Sequence, residues 1–149
     1  MRINSILILA ALLLVAGCKE KKAEQFHALP FPDVQIPTMI TGQQETIEYM
    51  AVNYWNGITD ASRTYPSDSI LVSGVRKSDV EQKFADWTAI MEHAGYKVWS
   101  KAVGNVYERA LACEKKDTSS HVFETFVDLF QKYFYDPNSP MRNEDVYHH

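Results

Sequence analysis

Only two cysteines occur among the 149 residues, with six glycines and six prolines. Disulfide-stapled scaffolds, Cys-rich zinc sites and glycine-repeat proteins are thereby excluded. Basic residues are also scarce: 15 Lys and Arg stand against 19 Asp and Glu, for a formal charge of −4. With no Lys/Arg cluster in the folded part, the chain lacks the positive footprint that phosphate backbones require, and nucleic acid is not an expected partner. There is no HExxH: His27, His93 and His121 are isolated and His148 and His149 adjoin. A metal site is not expected on that pattern, and no cofactor. No GxSxG elbow and no CxxC pair are present, so neither nucleophilic nor dithiol chemistry has a motif to stand on. Strand-type alternation is missing from every long segment. What is plentiful is aromatic surface, three Trp, eight Tyr and seven Phe, enough to give one domain's length of chain a core.

The longest uncharged apolar run is Ile6 to Ala16, preceded by Arg2. At about 1.5 Å per residue it covers roughly half of the ~30 Å hydrocarbon layer, so it reads as the core of a secretory signal over residues 1–17 rather than as a spanning helix. It ends in Val15-Ala16-Gly17-Cys18, which resembles the bacterial lipobox. The resemblance implies acylation and cleavage at Cys18, and a protein anchored to the membrane without crossing it. Loss of Arg2 with the signal takes the formal charge from −4 to −5. Residues 18–30, with Lys19, Glu20, Lys21 and Lys22, read as the lipidated cysteine and a solvated tether. The expected location is the bacterial envelope, periplasm-facing or on the outer-membrane surface.

Residues 31–149 read as one all-α domain. Pro30, Pro32 and Pro37 keep the lead-in extended. A first helix is expected over about Gln43 to Asn56, with Ile47, Met50, Ala51, Tyr54 and Trp55 on one stripe and Gly57 as its stop. Ile70-Leu71-Val72 is compatible with a helical turn or a strand. Ser78 and Glu81 have the spacing of a capping box, opening a second helix with Val80, Phe84, Trp87 and Met91 inward to Gly95. A third is expected over Tyr96 to Lys116, where Gly104 marks a close helix crossing, and a fourth after Asp117 to about Tyr135, carrying Phe123, Phe126, Val127, Phe130 and Phe134. Ser139 and Pro140 suit the start of a short fifth helix. The architecture expected is a compact irregular bundle.

The proline lead-in, Tyr54-Trp55-Asn56, Val80-Glu81-Gln82-Lys83-Phe84 and above all Tyr133 to Tyr147 together resemble a domain-of-unknown-function family of lipoproteins from gut Gram-negative bacteria. In that family the domain typically sits N-terminal to a thioredoxin-like (redoxin) domain. The resemblance implies a helical fold, no assigned activity and a place beside thiol-redox proteins. Here the redoxin domain is absent and relatives continue past Tyr147, so the chain reads as a stand-alone, truncated or fragmentary member.

Cys113 lies on the apolar stripe of the third helix and reads as a buried thiol. Asp136 to Glu144 reads as a packed corner, in which Asp136 and Asn138 suit Asx-turns and, with Arg142, Asn143 and Glu144, are candidates for contact with a partner. Tyr54, Trp55, Trp87 and Trp99 have core spacing. The function expected is a non-catalytic, lipid-anchored module that binds or positions a protein partner, thioredoxin-like in fold; an envelope binding protein for a small ligand or peptide in an aromatic-lined cleft is the alternative, with an enzyme a distant third. An exposed apolar patch at the C-terminal corner would favour the first, and an enclosed pocket lined by Trp and Tyr the second.

Overall fold

The computed structural model describes residues 27–65 and 68–139. Among these residues, four α-helices and one short hairpin are formed. They are α1 (Gln43–Asn53), β1 (Leu71–Val72), β2 (Val75–Arg76), α2 (Lys77–Ala94), α3 (Tyr96–Lys116) and α4 (Val122–Phe130), with a 3₁₀ turn at Thr118–Ser120 and a π turn at Gln131–Tyr135. The expected all-α bundle forms in the main, and the two-stranded hairpin is the one departure from it among the described residues. The short fifth helix, Cys18, Arg142, Asn143 and Glu144 lie outside the described residues.

Trp55 is the hub of the core. Phe31, Tyr54, Phe84, Trp87 and Phe126 surround it at ring-centroid distances of 4.9–5.9 Å, mostly edge to face, the arrangement that aromatic quadrupoles favour. Phe31 arrives from the proline lead-in, and the other rings come from α1's end, α2 and α4. Trp87 adds a directional tie, its Nε1 donating to Ala51 O at 2.8 Å. On α2 the stripe read from the sequence is the buried one, Val80, Phe84, Trp87 and Met91; on α3 Ala102, Val106, Ala110 and Cys113 are buried while Trp99 and Val103, of the same expected stripe, are half-buried.

Several local readings change. The first helix stops at Asn53 and irregular turns carry Tyr54 to Ile58, because Asn53 and Asn56 satisfy the end with side chains: Asn53 Nδ2 donates to Tyr49 O at 2.9 Å and Asn56 Nδ2 to Asn53 Oδ1 at 2.9 Å. Ser78 is not a helix cap. Arg76 precedes the helix, and Ser78 Oγ pairs with Asp79 Oδ1 instead. Residues Leu71 and Val72 resolve as a strand, paired antiparallel with Arg76 and Val75. Ser73 and Gly74 turn the hairpin, both at positive φ (49° and 78°), as a two-residue turn between right-twisted strands requires.

One residue, Gly95 at φ 77°, separates α2 from α3. Trp99 bridges that joint by donating from Nε1 to Met91 O at 2.8 Å. After α3, Asp117 caps the 3₁₀ turn and the chain doubles back. Tyr107 of α3 meets Phe123 near the start of α4, and Trp99, nearer the start of α3, meets Phe134 in the π turn. So α4 and the π turn run back along α3.

Candidate functional site

Helix α3 carries a second, outward stripe, roughly opposite the buried one. Ser100, Val103, Gly104, Tyr107 and Glu108 fall at i, i+3, i+4, i+7 and i+8. Facing them across an open groove of about 1250 Å³ are Val127, Asp128 and Phe130 of α4, followed by Gln131, Lys132, Tyr135, Asp136 and Pro137. The groove continues from α4 onto the π turn. There Asp136 N donates to Gln131 O at 3.0 Å, a five-residue step, and the extra residue widens the helix. Phe134 remains fully buried against Trp99, while Tyr135 and Pro137 are brought to the groove.

The groove is apolar along its length and acidic at its edges. Tyr107 is 54% exposed and Val127 37%, so both walls present apolar surface to solvent. Glu108, Asp128 and Asp136 are exposed carboxylates on its walls. The basic group there, Lys132, is engaged: its Nζ donates to Glu81 on α2, which raises the lysine's pKa.

Of the expected contact residues, Asp136 and Asn138 form the turn that closes one end. Asp136 Oδ1 accepts from Asn138 N at 2.8 Å and Nδ2 at 3.2 Å, and Ser139 N donates to Asp136 O at 2.9 Å. The Asx-turn chemistry of the sequence is thus present, with Asn138 as its donor. Gly104 marks no helix crossing. A Cβ there would meet nothing within 4 Å, because the glycine lines the groove and faces open space.

A small second site surrounds Cys113. The thiol is 6% exposed and burial pushes its pKa up, with Arg109 acting weakly in the opposite sense. Beside it lies a void of about 30 Å³, room for a single water. Two Asp-x-Ser turns flank it. Asp60 Oδ1 accepts from Ser62 N and Oγ at 2.9 and 2.6 Å, and Asp117 Oδ1 from Ser119 N and Oγ at 2.9 and 2.7 Å. These hydrogen bonds hold both carboxyls below their ordinary values. A buried thiol kept protonated, beside carboxylates already engaged, lacks the setting of a nucleophile.

A third polar group escaped the sequence reading. Asn105 and Arg109, one turn apart on α3, reach back to the turns after α1. Asn105 Nδ2 donates to Val52 O at 2.7 Å and to Asn56 Oδ1 at 3.2 Å; Arg109 donates from Nε to Thr59 Oγ1 and from a terminal nitrogen to Asn56 O, both at 3.0 Å. Their position beside Val106 and Ala110 was the available signal. Their chemistry is a clamp that holds the irregular segment to α3. Among the described residues no three His, Cys, Asp or Glu side chains gather as metal ligands, and no helix is long and apolar enough to cross a membrane.

Comparison with curated proteins and with solved structures finds no match. The family described as Domain of unknown function (DUF5106) matches residues 16–149, nearly the whole chain, and the chain belongs to that family.

Proposed function

We propose that the protein is a non-catalytic module, lipid-anchored through Cys18 in the bacterial envelope, that binds or positions a protein partner along the groove between α3 and α4. The single observation that carries this reading is the open apolar groove ending at Asp136 and Pro137, the C-terminal corner where an exposed patch favours a protein partner over an enclosed ligand. The tryptophans a ligand cleft would use are occupied elsewhere: Trp55 and Trp87 are buried in the core and Trp99 packs on Phe134. A thioredoxin-like protein is the partner class that the resemblance to redoxin-linked lipoproteins implies.

The test is photo-crosslinking in the native cell, with a photoreactive residue placed at Tyr107 inside the groove or at Lys77, exposed at the start of α2. Tyr107 should give a discrete protein adduct, identified by mass spectrometry as thioredoxin-like, that Lys77 does not give. The same adducts from both positions, or none from Tyr107, would contradict the reading.

A further inference from the structure

We infer that the element seated in the groove is a basic amphipathic helix of about ten residues, supplied by the partner. The inference rests on the proposed docking role and adds the shape and charge of what docks. Both walls are helical, and helices satisfy their main-chain groups internally. An extended segment laid between them would find no sheet edge to pair with, and its own amides and carbonyls would be left facing apolar side chains. A helix brings no such cost. Its size also fits: a cylinder about 10 Å across rising about 1.5 Å per residue fills about 120 Å³ per residue, so a groove of about 1250 Å³ holds roughly ten residues. The stripe from Ser100 to Glu108 on α3 spans about 12 Å at the same rise, two turns against which ridges of a third helix can lie.

Charge then selects among amphipathic helices. Glu108 and Asp128 stand on opposite walls, exposed and without an ion-pair partner among the described residues, and Asp136 closes one end. Lys132, the cation on the same wall, is held by Glu81. A helix with Leu-like residues on one face and Lys or Arg flanking them buries its apolar stripe on Val103, Tyr107 and Phe130 and meets carboxylates on both sides. One flanked by Glu meets repulsion on both.

The experiment uses the full chain in nanodiscs of zwitterionic lipid, with empty nanodiscs as the reference. The probes are fluorescently labelled 14-residue peptides with leucine at i, i+3, i+4 and i+7 and either lysine or glutamate elsewhere, plus a scrambled lysine peptide. Anisotropy titration should show the amphipathic lysine peptide binding at least tenfold more tightly than the other two. Glu108→Lys with Asp128→Lys should remove that preference, and Gly104→Leu, which fills the groove at a position open to solvent, should abolish binding while circular dichroism shows the fold intact. Equal binding of the lysine and glutamate peptides, still lost in Gly104→Leu, would overturn the basic character and leave the groove reading standing. Binding insensitive to Gly104→Leu, or no binding, would overturn the helical occupant, whereas the groove reading falls only with the Tyr107 adduct.

Discussion

Pro32 sits directly on Gly57: a Cβ built on that glycine would lie 2.4 Å from Pro32 Cγ. The proline lead-in is therefore seated in the domain, with Phe31 beside Trp55 and Leu29 N donating to Gly74 O at 2.8 Å. Gly57→Ala forces the ring and the turn apart, and thermal denaturation should show a loss of about 1–3 kcal/mol. Gly104→Ala is the opposite case. Nothing lies within 4 Å of its Cβ position and the helix gains propensity, so stability should rise by up to about 1 kcal/mol. A Gly57→Ala protein as stable as the parent would show that the lead-in is not packed in this way.

Arg109 is predicted to be irreplaceable by lysine. Its fork spans Thr59 Oγ1 and Asn56 O, two acceptors that a single ammonium on a flexible stem does not reach together. Arg109→Lys should cost on the order of 1–2 kcal/mol in urea denaturation, with the slope unchanged. A midpoint equal to the parent's would remove the clamp from the account.

Alkaline pH should destabilise the fold through Tyr54 and, in the same direction, Cys113. Burial first, and the negative charge of Asp86 second, push Tyr54 from 10.0 up to about 12. Between those values the unfolded chain releases the phenolic proton while the folded chain keeps it. The unfolded state then binds fewer protons, so stability falls as pH rises through that window. Cys113, raised above 9.0 mainly by burial, starts the decline lower. Denaturation midpoints from pH 8 to 12 should drop in the parent and less steeply in Tyr54→Phe; parallel curves would contradict the assignment.

Membrane attachment should depend on Cys18. Cys18→Ser should leave the chain unprocessed or release it from the membrane fraction, and normal retention of a processed Cys18→Ser protein would end that part of the proposal.

Helices α2, α3 and α4 were legible because they bury a stripe at the 3.6-residue period, as Val80, Phe84, Trp87 and Met91 show, whereas α1 fully buries Ala51 alone within its span. The hairpin was legible only as the apolar run Ile70 to Val72, which a helical turn fits equally, since two-residue strands are too short to alternate. The groove was hidden by the same rule that revealed the core. Val103 lies one position from Ala102 and is apolar like the buried stripe, yet it lines the groove, and Gly104 reads equally as a tight crossing or as open space until the neighbouring helix is placed. The π turn had no signature. Asp136 and Asn138 were found because Asx-turns depend on residue type and local spacing, which a sequence displays directly.

The central claim, that the partner lies along the groove, is tested most directly by the Tyr107 photo-adduct in cells carrying Gly104→Leu. The leucine fills the groove from the open side of α3 and leaves the core untouched, so the account predicts that the adduct disappears while the protein accumulates and melts as the parent does. An adduct of undiminished yield in the folded Gly104→Leu protein would show that the partner does not enter the groove.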